Sequence, residues 1–405
     1  MHNLPKEKCS GCSLCANVCP VSAITMKPNV EGFLYPSVDL EKCIACKKCE
    51  KFCPELNAPT KNENCDAFAA YNKNEIIRKE SSSGGIFSLL AEKIIAQNGV
   101  VFGAKFENDF SVSISYTETL DGLKEFRGSK YVQANPKYCY KECAEFLKAG
   151  RSVLFTGTPC QVAALKSYLQ KKRIDETNLL AVDFICHGTP APAMWQKYLE
   201  YRKSPSGVPI VRTSFRRKDY GWKMFSLTFT YGDASEYINP LNKDKYLRLF
   251  LQDNALRNSC YTCSFRGLER ASDMTIADFW GIDTLENVPE SFKEDKGTSL
   301  VFVHSEKGKT IFDSLSEKEL GKIQVSKESA ILHNPAMLKS KAKKALRDEF
   351  TKDISKFDID TLYKKYGRPP FKIRLKQKMK NAIVKPIKLV LGEKGVKTLK
   401  KLLGR

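Results

Sequence analysis

Residues Cys9 to Pro20 read CSGCSLCANVCP, and Cys43 to Pro54 read CIACKKCEKFCP, with four cysteines and a closing proline in the same register. Between the cysteines almost every residue differs, so the thiol spacing is what the chain repeats. CxxCxxCxxxCP is a [4Fe–4S] spacing: three thiols two residues apart wrap one cubane, and the fourth, carried by a proline-ended turn, points across to its neighbour. The spacing predicts one cluster on Cys9, Cys12, Cys15 and Cys53, and a second on Cys43, Cys46, Cys49 and Cys19. Zinc sites and disulfides are the competing readings, but two tandem copies match a spacing that zinc modules do not share. The inorganic cores would replace most of the hydrophobic core that so small a module cannot build, which leaves the intervening residues free to vary.

A ferredoxin-like α+β module over residues 1–58 follows, with a short hairpin in GFLYPSVDLEKC and a polar boundary in ELNAPTKNENC. The 405 residues, 42% hydrophobic, leave room for two or three domains with a proper core. Fifteen cysteines in short-range sets, behind an opening MHNLPKEKC with no apolar signal core, suit metal ligation in a reducing cytoplasm better than a disulfide framework. No apolar run is long enough for a spanning helix. The net charge of +21 calls for an anionic partner, although much of the excess lies near the C-terminus.

Beyond the boundary the pattern changes. GGIFSLLAEKIIAQNG has helical apolar spacing and leads into the strand-like VVFGAKF and SVSISYT. RSVLFTG and LLAVDFIC are β-branched runs, each followed by a turn and a helix, PCQVAALKSYLQ and APAMWQKYLEYRK. Such repeats indicate an α/β core with parallel strands, here over residues 65–325. IVRTSFR and FSLTFTY predict an antiparallel addition around RKDYGWKM, and KDKYLRLFLQDNALRNS a further helix. Residues 326–405 form a basic, mostly helical C-terminal extension.

Three constellations carry chemistry. SSSGGIF sets serines and glycines before a helix, where free N–H groups favour a phosphate, or where a serine simply caps the helix. FTGTPCQVAAL puts Pro159 at the first helical position and Cys160 in the first turn, where the helix dipole is expected to lower the thiol's pKa. VDFICHG ends a strand on Cys186 and His187, and NSCYTC supplies the pair Cys260 and Cys263. These four thiols can close a third iron–sulfur site; a zinc half-site, a redox pair and simple core cysteines are the alternatives. A Cys–His nucleophile on His187 ranks lower, because no acid to orient the histidine is evident. Cys65, Cys139 and Cys143 are read as structural.

With SSSGGIF, GSKYVQA, FTGTPCQVAAL, DFICHGTP, CYTC and SDMTIADFWGI in this order, the chain resembles the coenzyme F-420 hydrogenase/dehydrogenase beta-subunit family from about Cys65 to His304. The resemblance implies an α/β body carrying FAD and one [4Fe–4S] cluster. It implies flavin phosphates near Ser83, Gly84 and Gly85, and ring-side contacts near Ser129, Lys130, Tyr131, Thr156, Gly157, Thr158 and Pro159. Asp278 and Gly281 would line the same region, and Cys160, Cys186, Cys260 and Cys263 would hold the third cluster.

Clusters move electrons singly and a flavin handles them in pairs. The expected function is therefore that of an oxidoreductase between an external one-electron partner such as ferredoxin and an organic acceptor, the deazaflavin coenzyme or another small molecule, including one of surface-polysaccharide metabolism. An electron-transfer subunit with substrate chemistry on a partner protein is the alternative. Lys130, Arg127, Arg216, Arg217 and Lys218 are candidates for an anionic substrate, unless FRRKDYGWK is a solvated hairpin tip. The basic tail after Arg368 is expected either to touch the inner face of an anionic membrane or to pack on the body. It lacks interleaved aromatics, so nucleic acid is not an expected partner.

Overall fold

The hairpin between the two cysteine runs closes locally. β1 (Ile24–Pro28) pairs antiparallel with β2 (Leu34–Val38), and in the turn Asn29 Oδ1 accepts from the N–H groups of Glu31 and Phe33. Gly32, at φ +83°, is pressed against Pro192 and Ala193, where a side chain would meet Ala193 N at 2.9 Å. The N-terminal module is therefore docked on the body through this turn. The computed structural model describes residues 4–62, 65–204 and 206–368.

The body contributes twelve further strands: β3 (Asp66–Asn72), β4 (Val100–Phe106), β5 (Val112–Thr117), β6 (Ala134–Asn135), β7 (Val153–Thr156), β8 (Leu179–Phe184), β9 (Ile210–Arg217), β10 (Ser226–Tyr231), β11 (Glu236–Pro240), β12 (Met274–Asp278), β13 (Ser299–Val303) and β14 (Leu320–Val325). Nine strands form one sheet in the order β14-β3-β13-β12-β8-β7-β4-β5-β6. The middle, β12-β8-β7-β4, is parallel, as the strand–turn–helix repeats require. The flanks β14-β3-β13-β12 and β4-β5 are antiparallel, so the sheet is mixed.

Strand β7 shows why the middle strands read as unbroken apolar runs: both faces are covered. Leu154 packs with Leu89, Leu90 and Ile94 of the helix Ile86–Ala96. Its neighbours Val153 and Phe155 point the other way, against Val162, Leu165 and Leu169 of the helix Pro159–Lys172.

The expected antiparallel addition is present and gains a third strand, in the order β11-β10-β9. The helix expected over KDKYLRLFLQDNALRNS spans only Lys245–Leu251, with Asp244 capping it through Leu247 N. Asp253 is left-handed at φ +63°, which turns the chain out of the helix.

The C-terminal segment is part of the core. Phe350, Ile354, Ile359, Leu362 and Tyr366 join the cluster built on Trp195, Tyr246 and Phe33. Arg347 Nη1 lies 2.7 Å from Glu31 Oε1, and Nη2 donates to Glu31 Oε2 at 3.0 Å. The basic tail from Pro369 lies outside the described residues, and so do the expectations for it. Among the described residues no helix is long and apolar enough to cross a membrane.

His304, at the end of β13, is sealed in the sheet and faces Thr275 Oγ1 at 2.9 Å. Desolvation, with help from Arg270, pushes its pKa down to about 3. The unfolded imidazole takes up its proton near pH 6.5, so the contribution is intact above that pH and drains away as pH falls toward the folded value. Lowering pH from 7 to 5 should cost about 2 kcal/mol at this residue, since each unit is worth 1.36 kcal/mol. His304→Gln should be flatter by that amount in denaturant titrations at the two pH values.

Candidate functional site

Both cysteine runs curl by the same local device. Gly11 and Ser13 in the first copy, and Ala45 and Lys47 at the matching places of the second, are left-handed at φ +73°, +61°, +52° and +57°. Glycine does this freely, whereas each of the other three gives up about 1–2 kcal/mol. Strain repeated at equivalent positions marks a loop shaped around something.

Cys19, Cys43, Cys46 and Cys49 line a hollow of about 430 Å³, mouth included, floored by Ile24 and Val38. Cys160, Cys186, Cys260 and Cys263 line another, of about 510 Å³. They reach it from the first turn after β7, the end of β8 and the 3₁₀ turn Asn258–Thr262. Cys9, Cys12, Cys15 and Cys53 gather as a further set, in which Cys12 feels the charge of Cys9 and Cys53, and Cys15 that of Cys9, Cys12 and Cys53. Among the described residues no three His, Cys, Asp or Glu groups close on a single metal-ion position; the thiols ring hollows instead.

Desolvation pushes the Cys12 thiol up to about 12, and Cys53 and Cys9 add to it. It pushes Cys186 up to about 12 as well, with Cys260 and Cys263 adding. Cys160, Cys260 and Cys263 are all raised, with desolvation the largest cause. For Cys160 this corrects the expectation of a lowered pKa. The capping box of Thr158 and Gln161 and the leading Pro159 are in place, but loss of water outweighs the dipole. A ligating thiol is deprotonated by its metal, so these sets suit ligation and not free nucleophiles. Amide N–H groups already point at sulfur, Ala23 N at Cys19 Sγ (3.2 Å) and Thr189 N at Cys260 Sγ (3.4 Å), an arrangement that stabilises negative sulfur.

The sets are ordered in space. Cys46 is exposed, whereas Cys15 and Cys53 are buried. Ser10 and Glu55 of the N-terminal module line the hollow of Cys160 and Cys263, and Tyr140 Oη donates to Cys12 O at 2.9 Å. The Cys9 set therefore abuts the Cys160 set, and the Cys46 set lies on the outside.

The segments expected around a flavin also meet. Ser82 Oγ accepts from Ser129 N (2.7 Å) and lies 2.9 Å from Ser129 Oγ; Ser83 Oγ donates to Thr298 O (2.9 Å). Gly84 N donates to Ser299 Oγ (2.9 Å), and any Cβ at Gly84 would meet Ala70 O at 2.6 Å. Gly85 caps the helix Ile86–Ala96 in a left-handed conformation. Arg216 clasps the group together: it pairs bidentately with Asp278 (2.7 and 2.9 Å) and donates to Tyr131 Oη (3.2 Å) and Ser82 O (3.1 Å). Trp222 Nε1 donates to Asp278 Oδ1 (2.7 Å), and its ring stacks on Trp280. Two buried donors, Asn72 Nδ2 and Arg216 Nε, have no partner. Thr156 and Thr158 stand apart, at the end of β7 beside Cys160: Thr156 Oγ1 bonds Phe102 O, and Thr158 Oγ1 lies 3.1 Å from Cys160 Sγ. Gly157 N donates to Val182 O. Gly281, at φ +82°, sits against His333.

The charged residues considered for a substrate all have partners. Arg127 meets Glu80 and Glu92, and Arg217 meets Asp219 and Glu236. Lys130 donates to the carbonyls of Glu125, Arg127 and Gly128, and Lys218 to those of Arg78, Ser83 and Lys296. Desolvation pushes both lysines down to about 7. FRRKDYGWK is thus solvated only in part: Arg216 and Trp222 are buried, whereas Tyr220 is exposed.

Two residues near the thiols, Asp253 and Arg257, had no signal in the sequence. His187 Nε2 lies 2.6 Å from Asp253 Oδ1, so an acid does orient the histidine. Arg257 reaches the Cys9 carbonyl from the far side of the chain. Cys65, Cys139 and Cys143 are buried in apolar clusters.

Residues 8–57 match the family model for the 4Fe-4S dicluster domain, and residues 150–329 match that for the C terminus of the coenzyme F420 hydrogenase/dehydrogenase beta subunit. No curated protein matches the chain. A solved structure described as a xenon derivatization of the F420-reducing [NiFe] hydrogenase complex from Methanosarcina barkeri is 15% identical, over 76% of this chain and 92% of that one, with a TM-score of 0.44. By the two family matches, the chain is an iron–sulfur electron-transfer protein whose residues 8–57 are similar to a 4Fe-4S dicluster domain and whose residues 150–329 are related to the C terminus of the coenzyme F420 hydrogenase/dehydrogenase beta subunit.

Proposed function

We propose that the chain is an iron–sulfur flavoprotein oxidoreductase working between a one-electron partner and a two-electron organic acceptor. In this reading the two N-terminal sets and the set Cys160, Cys186, Cys260 and Cys263 each hold a [4Fe–4S] cluster, and residues 65–325 form the flavin and iron–sulfur domain. The observation that carries it is the gathering of twelve thiols, from distant parts of the chain, into three sets of four.

FAD is assigned to the loop Ser83 to Gly85 with Ser129, Tyr131 and Asp278. The support is the convergence of these segments on Arg216 and the two unpartnered donors, Asn72 Nδ2 and Arg216 Nε, beside them. A flavin would supply the exchange between single electrons and electron pairs. The chain's own residues supply the rest. Gly84 allows the loop to lie flat on β3 and β13, Asp278 fixes the Arg216 fork, and Thr158 with Gln161 holds Cys160 at the edge of the third hollow.

Anaerobic purification is expected to give about twelve irons, from three four-iron clusters, and one flavin per chain. Eight irons with flavin would remove the third cluster alone, and zinc or a colourless protein would overturn the whole reading.

A second reading, an electron-transfer subunit whose substrate chemistry belongs to a partner, is favoured by one observation: Arg127, Lys130, Arg216, Arg217 and Lys218 are all engaged internally. Reoxidation of the reduced chain by an added deazaflavin, seen as the return of the chain's visible absorbance with no other protein present, would decide for the self-contained enzyme. For the basic tail, liposome co-sedimentation with and without the residues after Arg368 separates membrane contact from packing.

A further inference from the structure

Arg257 is 1% exposed, yet no ion pair to it is present among the described residues. Its Nε donates to Cys9 O (2.7 Å), and Nη2 donates to Leu34 O (2.9 Å) and lies 3.7 Å from Cys9 Sγ. The guanidinium stacks over the Tyr35 ring at 4.1 Å. Nη1 has no partner, and it faces the cysteine loop closely enough that a Cβ on Gly11 would sit 2.9 Å from it. A buried cation without a counter-charge is strongly unfavourable. What it faces is the Cys9 loop of four thiols.

The backbone of the same residue leads the other way. Arg257 O accepts from Cys260 N at 2.9 Å, and Arg257 N donates to Thr189 O, whose own N–H points at Cys260 Sγ. One residue thus touches a cysteine of the N-terminal module with its side chain and a cysteine of the body with its main chain.

We propose that Arg257 is the positioning and potential-setting residue at the junction of the Cys9 and Cys160 sets, an inference that rests on the iron–sulfur reading above. Four thiolates outweigh the positive charge of a cubane core, so a cluster is anionic in both states and more so when reduced. A fixed, desolvated cation beside Cys9 favours the reduced state, because net charge and hydrogen bonds to sulfur set a cluster's potential. The exposed Cys46 set, whose neighbouring lysines lie in water, gains far less from such a charge.

The test is an EPR-monitored redox titration of the anaerobically purified full-length chain. In Arg257→Met the reduction equilibrium of one cluster should fall at least tenfold, about 59 mV for a one-electron couple, while Arg257→Lys, which keeps the charge, should stay within about threefold of wild type. Should Arg257→Met give no folded chain, Arg257→Gln, which can still donate to the Cys9 carbonyl, is read in its place. Unchanged potentials in a fully iron-loaded neutral variant would overturn the inference, and so would a lysine variant shifted as far as the neutral one. Wild-type protein holding zinc, or no iron, would instead overturn the iron–sulfur reading itself.

Discussion

Replacing Glu31 with glutamine should lower the stability of the folded chain by about 3–5 kcal/mol, the cost of leaving a buried charge without its partner. Arg347 is 1% exposed and Glu31 3%. The guanidinium is fully committed, its two Nη groups to Glu31 and its Nε to Leu256 O at 2.8 Å. Both members are enclosed, so the loss is not spread over a flexible surface as it would be for an exposed pair. Arg347→Met should cost a similar amount by stranding the carboxylate. The double variant Glu31→Gln with Arg347→Met should recover a substantial part, because replacing both partners of a buried pair is far milder than removing one. Urea unfolding followed by tryptophan fluorescence suits the measurement, since Trp195 lies in the same apolar cluster as Phe33 and Phe350. Equal stability of the single variants and wild type would show that the pair is not enclosed as described.

Cys160→Ala should reduce the iron content from about twelve to about eight per chain and erase one cluster's EPR signal. The thiol stands in the first turn of the helix Pro159–Lys172, against a hollow shared with Cys186, Cys260 and Cys263. Three remaining thiols would leave one corner of a cubane open to water through the mouth of that hollow. Cys263→Ala should behave alike. Cys65→Ala, within an apolar cluster and outside both cysteine-lined hollows, should keep all twelve irons. A Cys160 variant with undiminished iron would dismiss the third cluster.

The N-terminal sets were readable because ligation fixes thiols at set distances along a short turn, and a spacing is something a sequence can carry. The left-handed turns at Ser13, Ala45 and Lys47 were not, since nothing about those residue types demands them. The third set was readable in part for the same reason: Cys160 and Cys186 each close a strand, and Cys260 and Cys263 form a CxxC. The parallel heart of the sheet followed from β7 and β8 with their helices, but the antiparallel flanks depend on long-range pairing that local pattern does not specify. Single charged residues left no trace at all. Arg257, Asp253 and Arg347 acquire their roles only when segments far apart are packed together. FRRKDYGWK was left between two readings for the converse reason: its charges suggested solvent, while Asp278 and Trp222 enclose Arg216. The acidity of Cys160 shows the same division, as the helix start was visible and the enclosure that overrides it was not.

The pairing of Glu31 with Arg347 also sets an order of events during synthesis. The two residues are 316 positions apart, and a ribosome adding roughly 5–20 residues per second needs about 15 to 60 s to produce the second after the first. Throughout that interval the newborn leading segment carries a carboxylate that has nowhere to dock, so its final seating is among the last things the molecule accomplishes.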